Sequence, residues 1–379
     1  MSSRERPEDP EEEGPAKAVA DPESYRVALE GWMQRRQPEV RDLRVHDVDM
    51  PRATGFSNET VFFSARWQES GQEVSRRFVA RIEPPDGGLF PIQTEGCRVS
   101  AAMQHRIMQA VADTGVVPMP TLLPYEDDPA VLGRPFFVMD FVEGRIPADV
   151  PRYTQAGFLV DEATPAERER MVRDGVERMA DLARLDWRKL GLDWLDVKGQ
   201  GNPTLADQLE LYRRYVEREL RGRPHPVLLR GLDWLDANAP NEAEVGLSWG
   251  DSRLGNVIWQ DYRAAAICDW EAASLCPPEA DIGWWVMFDR QSFDDLDVLR
   301  LPGFPTREEM VAIWEARSGR RVADTIDYWE IFGTMRFCAI MIKLGDRMVR
   351  AGIVPAEANM SLANGTTESL ARLLARQGT

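Results

Sequence analysis

The sequence predicts an α+β fold, a small strand-rich amino-terminal part followed by a larger, mainly helical one. Three observations carry this reading. Residues 43–48, 60–68 and 75–82 alternate polar with apolar side chains and are rich in β-branched residues, the pattern of half-buried strands. From Thr164 onward, apolar residues instead recur at helical spacing in one segment after another. A chain of 379 residues that is 43% hydrophobic is long enough to pack both parts around cores of their own.

The elements follow in chain order. Residues 1–20 are charged and proline-rich, too polar to build a core, and are expected to form a disordered tail, not a signal peptide. Asp21-Pro22 supplies an N-cap and a first-turn proline; Tyr25, Leu29, Trp32 and Met33 then share one helix face that would buttress the strands. A helix is expected over 99–114, with Met103, Ile107, Met108 and Val111 on its apolar side. Residues 136–144 read as a buried strand running into a connector. Thr164 then caps a helix that Pro165 opens and Met171, Val176, Met179 and Leu182 continue. Residues 205–219 and 226–237 read as further helices, and 306–318 with 325–349 as a carboxy-terminal pair. Charged runs such as Glu167-Arg168-Glu169-Arg170 read as solvated helix faces.

Charge and cysteine usage narrow the function. Lys and Arg total 46 against 63 Asp and Glu, a formal charge of −17 that argues against nucleic acid or an anionic membrane as partner. The 4 cysteines are widely spaced without a Cys-x-x-Cys pair, and with only 3 histidines they argue against a zinc site or a disulfide framework. No apolar run approaches the length of a membrane span. The expectation is a cytoplasmic protein, monomer or homodimer, acting on a small molecule.

The most informative segment is Trp249-Gly250-Asp251-Ser252-Arg253-Leu254-Gly255-Asn256, followed by Asp269-Trp270-Glu271. A carboxylate, a base two positions on, an amide five positions on and a second carboxylate after a hydrophobic stretch are the parts that bind Mg-ATP and transfer its γ-phosphoryl group. Asp251 would accept or orient the proton of an attacking hydroxyl, and Arg253 would neutralise the phosphoryl group in flight. Asn256 and Asp269 offer the hard oxygen ligands that Mg²⁺ prefers. Residues 257–268 read as two short strands joined by an Asp261-centred turn, a hairpin that would return Asp269 to the side of Asn256. The chain has no Gly-Lys dipeptide, which excludes a Walker-type phosphate loop.

These two motifs resemble the aminoglycoside phosphotransferase and choline kinase family, and in particular an actinobacterial branch of it. The resemblance runs from about Asp42 to the last helices. It implies a bilobal protein-kinase-like fold, with residues 21–142 as the nucleotide-binding lobe and hinge and 143–379 as the catalytic and substrate-binding lobe. ATP and Mg²⁺ would be the cofactors and a hydroxylated small molecule the acceptor. Gly55, Ser57 and Asn58 fall in the segment resembling the nucleotide-covering loop, where Gly55 permits close backbone approach and the two polar side chains can donate to phosphate oxygens. Arg81 stands near the end of the third strand, where kinases place the lysine that grips the α- and β-phosphates. Gln104 occupies the position where many relatives carry Glu and would hydrogen-bond Arg81, with Glu95 as the alternative partner. Met139 and Phe141 mark the hinge against which adenine would sit, and Asp281 matches an Asp that supports the catalytic loop.

Two departures stand out, Trp249 and Ala183, each where many relatives carry His. Together with Gln104 they leave a nucleotide-binding pseudoenzyme as the alternative to a kinase. The acceptor stays open between an aminoglycoside or other cationic natural product and a hydroxy acid or its acyl-CoA ester, since related domains occur joined to acyl-CoA dehydrogenases. Trp284, Trp285, Phe288, Tyr328, Trp329, Phe332 and Arg336 offer an aromatic cleft for a bulky, less charged alcohol, although aromatics at helical spacing are more often core. Asp289, Asp294, Asp295 and Asp297 are the nearest supply of carboxylates for a polycation. The 145–162 segment, with Arg145, Tyr153 and Phe158, is long enough to cover the acceptor side.

Overall fold

A computed structural model of the chain describes residues 21–50, 59–241 and 243–378. Gly55, Ser57, Asn58 and the tail over 1–20 lie outside the described residues. The first helix, α1 (Pro22–Arg36), starts where Asp21 accepts the Glu23 amide, as the Asp-Pro pair predicts. Three strands follow, β1 (Arg41–Asp49), β2 (Glu59–Glu69) and β3 (Gln72–Ile82), enclosing the expected segments. Ser70 and Gly71, both at positive φ, close the β2–β3 hairpin. Beyond β3 come the helices α2 (Ser100–Ala112) and α3 (Pro129–Leu132), then β4 (Phe136–Asp140), which completes an antiparallel sheet in the order β1-β2-β3-β4. The buried face of α1 lies on this sheet. Trp32 meets Phe136 edge to face at 5.2 Å, and its indole N–H donates to Glu126, so the polar edge of a fully buried ring is satisfied.

The helical part begins with α4 (Phe158–Asp161) and α5 (Pro165–Leu182). Thr164 and Glu167 form a reciprocal capping box at the start of α5. Helices α6 (Leu205–Leu220) and α7 (Pro226–Ala237) lead to a short strand, β5 (Gly246–Ser248), and then to the segment that carries Asp251. The expected hairpin is present as β6 (Val257–Gln260) and β7 (Arg263–Ile267), turning through Asp261 and Tyr262, both at positive φ. Strand β8 (Ser274–Cys276) pairs back onto β5, fixing both ends of this region to one another. The chain finishes in four helices: α8 (Glu279–Ser292), α9 (Arg307–Ser318), α10 (Ile326–Arg350) and α11 (Gly365–Arg376). None of the described helices is long and apolar enough to cross a membrane.

Helix α8 corrects the expected aromatic cleft. Every residue of α8 except Arg290 is buried. It crosses α10 so closely that a Cβ on Gly283 would stand 2.5 Å from the Trp329 backbone. Trp284, Trp285, Tyr328, Trp329 and Phe332 are therefore interior packing, each at most 5% exposed. A helix buried nearly all round has no solvent face by which its sequence could tell cleft from core. Two carboxylates of the acidic 289–297 segment, which starts inside α8, are also committed. Asp289 pairs with Arg300, and Asp295 accepts from Arg290, Arg372 and Ser369, so these carboxylates already have cations.

Candidate active site

A cavity of about 450 Å³ lies between the sheet and the helical part. It is lined by Arg81, Gln104, Met139 and Phe141 from one side and by Asn256 and Asp269 from the other. Six residues far apart in sequence are thus brought to one space of the size that holds a small organic ligand. Arg81 is held at its β3 position by donating to the Thr60 hydroxyl on the neighbouring strand, 2.8 Å away. The expected Gln104–Arg81 bond is not made. Gln104 donates instead to Ser100 one turn earlier in its own helix, at 3.0 Å. Glu95 is exposed and pairs with Arg98, so it is no substitute. The carboxylate in this region that contacts α2 is Glu83, which accepts the amides of Ser100 and Ala101 and thereby caps the helix.

At the connector, two backbone donors are already engaged. The Asp140 amide donates to the Thr121 carbonyl and the Phe141 amide to the Arg77 carbonyl, each at 2.9 Å. The Val142 amide, one residue on and beside the cavity, has no partner among the described residues.

Asp281 organises the segment before Asp251. Its buried carboxylate accepts the Ser248 hydroxyl at 2.8 Å, the Trp249 amide at 2.9 Å and the Gly250 amide at 2.8 Å, while its backbone carbonyl accepts the Ser252 hydroxyl. Burial pushes its pKa up, and those three hydrogen bonds oppose the rise. Gly250 is required here for two reasons. Its φ is +87°, and a Cβ would stand 2.0 Å from the Ala272 carbonyl oxygen. Gly250→Ala is expected to destabilise the fold by at least about 1–3 kcal/mol from backbone strain alone, measurable as a fall in the urea midpoint. Trp249, at the position where the resemblance leads one to expect His, is buried against Trp270 and donates its indole N–H to the carbonyls of Cys268 and Asp269.

Asp251 is buried, and one of its oxygens accepts the Trp284 indole N–H at 2.8 Å. Asn256 donates to the Asp251 carbonyl at 2.9 Å, which fixes the amide orientation and leaves its own side-chain oxygen for a ligand. The hairpin returns the chain as expected, for the Cys268 amide donates to the Asn256 carbonyl at 2.9 Å. Asp269 follows at φ +57°, with one carboxylate oxygen buried and unpartnered. Burial raises its pKa; the Arg81 charge resists that rise and the Asp251 charge adds to it. A buried carboxylate with one unpartnered oxygen, lining the same cavity as a free amide oxygen, fits a hard divalent cation. Among the described residues no group of three or more His, Cys, Asp or Glu forms a cage. Mg²⁺ does not need one, since it keeps waters and takes the remaining oxygens from phosphates.

Arg253 reaches both oxygens of Asp149 at 2.8–2.9 Å and approaches Asp251 at 3.4 Å. Burial opposes its charge, but the Asp251 and Asp149 carboxylates outweigh that and raise its pKa above the usual arginine value. Thr60, Asp149 and the indole N–H of Trp284 escaped the sequence reading. Each acts on a residue at least 21 positions away, and no local spacing signals such a contact.

The sequence model of the Phosphotransferase enzyme family matches residues 50–312, most of the chain and all of the site just described. The chain belongs to this family. The fold is shared with a protein of Ralstonia eutropha provisionally named an aminoglycoside phosphotransferase, at a TM-score of 0.65 and 22% identity over 91% of this chain and 98% of that one. It is also shared with a thermostable mutant of an aminoglycoside phosphotransferase solved with ADP and hygromycin B, at a TM-score of 0.54 and 13% identity over 91% and 98% of the two chains. In sequence, the phosphotransferase is 27% identical over 310 residues to mouse Acyl-CoA dehydrogenase family member 10. That match takes in 79% of this chain but only 27% of the relative, so the chain spans about a quarter of that protein's length.

Proposed function

We propose that this phosphotransferase uses ATP and Mg²⁺ to phosphorylate a hydroxyl group of a small molecule. The observation that carries the reading is the unpartnered, buried oxygen of Asp269, in the same cavity as Arg81 and Asn256. The lobe boundary falls after Val142, with 21–142 binding nucleotide and 143–379 supplying the catalytic groups. Adenine would sit against Met139 and Phe141, with the Val142 amide as the available hinge donor. Arg81 would hold the phosphates with its planar fork, and Gly55, Ser57 and Asn58, which lie outside the described residues, would be further phosphate-binding residues. Asn256 and Asp269 would hold Mg²⁺, which neutralises charge on the phosphate oxygens when bound.

In the transfer, the acceptor oxygen forms a bond to the γ-phosphorus as the bond to the bridging oxygen breaks. ADP leaves with that electron pair, and the hydroxyl proton goes to Asp251. Trp284 holds one Asp251 oxygen, leaving the other for the acceptor. Arg253 offsets charge on the group in transit, and Asp281 keeps the loop that presents Asp251 rigid. The pairing of Asp289 and Asp295 with arginines takes two of the four carboxylates of the 289–297 segment from a polycation, which favours an alcohol less charged than an aminoglycoside. Calorimetry tests the nucleotide half directly. Arg81→Ala is expected to weaken Mg-ATP binding about 10- to 100-fold, the worth of a charge-assisted fork; unchanged affinity would place the phosphates elsewhere.

A further inference from the structure

Arg152 stands apart from the arginines around it. Arg145 pairs with Glu162, Arg253 with Asp149 and Asp251, Arg290 with Asp295 and Glu330, and Arg300 with Asp289. The half-buried Arg152 side chain has no carboxylate, carbonyl or hydroxyl partner among the described residues, in a chain that carries 63 acidic residues. Its guanidinium carbon lies 5.9 Å from the centre of the Phe288 ring, and that of Arg253 lies 5.4 Å from the same centre. Phe288 thus joins an unpartnered cation to the group that touches Asp251. The ring belongs to a buried apolar cluster, with the partly exposed Phe337 at 5.1 Å, the buried Trp284 at 5.4 Å, and Phe90 at 6.5 Å from Trp284. Val150, two residues from Arg152, and Ile92, two residues from Phe90, are exposed apolar side chains close by in the chain.

We propose that Arg152 is a specificity-determining residue that binds an anionic group of the acceptor, which is an alcohol carrying a carboxylate or phosphate on an apolar carbon chain. The proposal rests on the kinase reading and deepens it. A half-buried cation without a partner gains most from a ligand that brings its own charge, because part of the desolvation is already incurred. The edge of Phe288 between Arg152 and Arg253, with the partly exposed Phe337 beside it, would take the carbon chain, so the hydroxyl at one end meets Asp251 while the anion at the other meets Arg152. The Asp149 carboxylate is held by Arg253 and does not compete for Arg152. The transfer itself is unchanged: the acceptor oxygen bonds to the γ-phosphorus, ADP departs with the electrons of the broken bond, and Asp251 takes the proton.

The test measures Mg-ATP-dependent phosphorylation by the full chain of a hydroxydecanoate, its methyl ester, the corresponding hydroxyalkyl phosphate and kanamycin. Wild type is expected to prefer at least one of the two anions over the ester by about tenfold or more in kcat/KM, and the better anion identifies the group recognised. Arg152→Ala should erase that preference mainly through KM, Arg152→Lys should keep part of it, and the KM for ATP should not move. A loss equal on anion and ester would reduce Arg152 to a structural role and overturn the proposal. So would preferential turnover of kanamycin, or no turnover of either anion while Asp251-dependent hydrolysis of Mg-ATP persists. Absence of any Asp251-dependent consumption of Mg-ATP would instead remove the kinase reading, and the acceptor assignment with it.

Discussion

Replacing Asp251 with Asn is expected to slow phosphoryl transfer about 10²–10⁴-fold, the usual worth of a positioned general base, while Mg-nucleotide affinity stays nearly unchanged. The two effects separate because Asp251 is not among the residues lining the nucleotide cavity. An Asn in its place still offers an oxygen to the Trp284 indole N–H, so the local packing should survive. What it cannot do is take the acceptor's proton. Steady-state kinetics beside calorimetry reads both halves. A wild-type protein that binds Mg-ATP tightly yet turns over neither water nor any alcohol would favour a nucleotide-binding pseudoenzyme.

Asp269→Asn should remove metal-dependent nucleotide binding without unfolding the protein. Residues that only orient metal ligands typically cost 10- to 100-fold in metal affinity, so loss of a ligand should cost about 100-fold or more. The fold should tolerate the change for two reasons. Asp269 has φ +57°, a conformation that Asn adopts more readily than other non-glycine residues. It also carries a desolvated charge whose buried oxygen has no hydrogen-bond partner, so neutralising it relieves a cost. Titration of Mg²⁺ at fixed ATP, with the thermal midpoint as control, checks both. Retained Mg²⁺ dependence in the variant would move the metal site away from Asp269.

Much of this arrangement is legible because local rules govern it. The 257–268 hairpin announces itself by two short apolar runs around Asp261, and it places Cys268 against Asn256 as that pattern requires. The capping residues Asp21 and Thr164 fix two helix starts by hydrogen bonds that span at most three residues. Arg81 and Asp269 share a cavity, the first near the end of β3 and the second two residues beyond β7, strands whose positions the sequence reveals. The misreadings concern partners expected across or between elements. Gln104 satisfies itself with Ser100 where a partner across the cleft was expected, since an i,i+4 contact on one helix needs no second element to be in register. The hinge amides of Asp140 and Phe141 are taken by Thr121 and Arg77, residues outside the hinge segment.

By itself, then, the sequence determined the α+β order of elements, the hairpin and the chemical set of Asp251, Arg253, Asn256 and Asp269, all of which depend on spacing and residue type. Tertiary structure alone decided which aromatics of α8 and α10 are core, that Trp284 turns its N–H onto Asp251, and that Arg152 is left without an ion partner. Side-chain partners across long loops are chosen by how helices cross and how closely backbones approach, as at Gly283. That geometry is a property of the packed whole, whereas periodicity and capping act within a turn or two of chain.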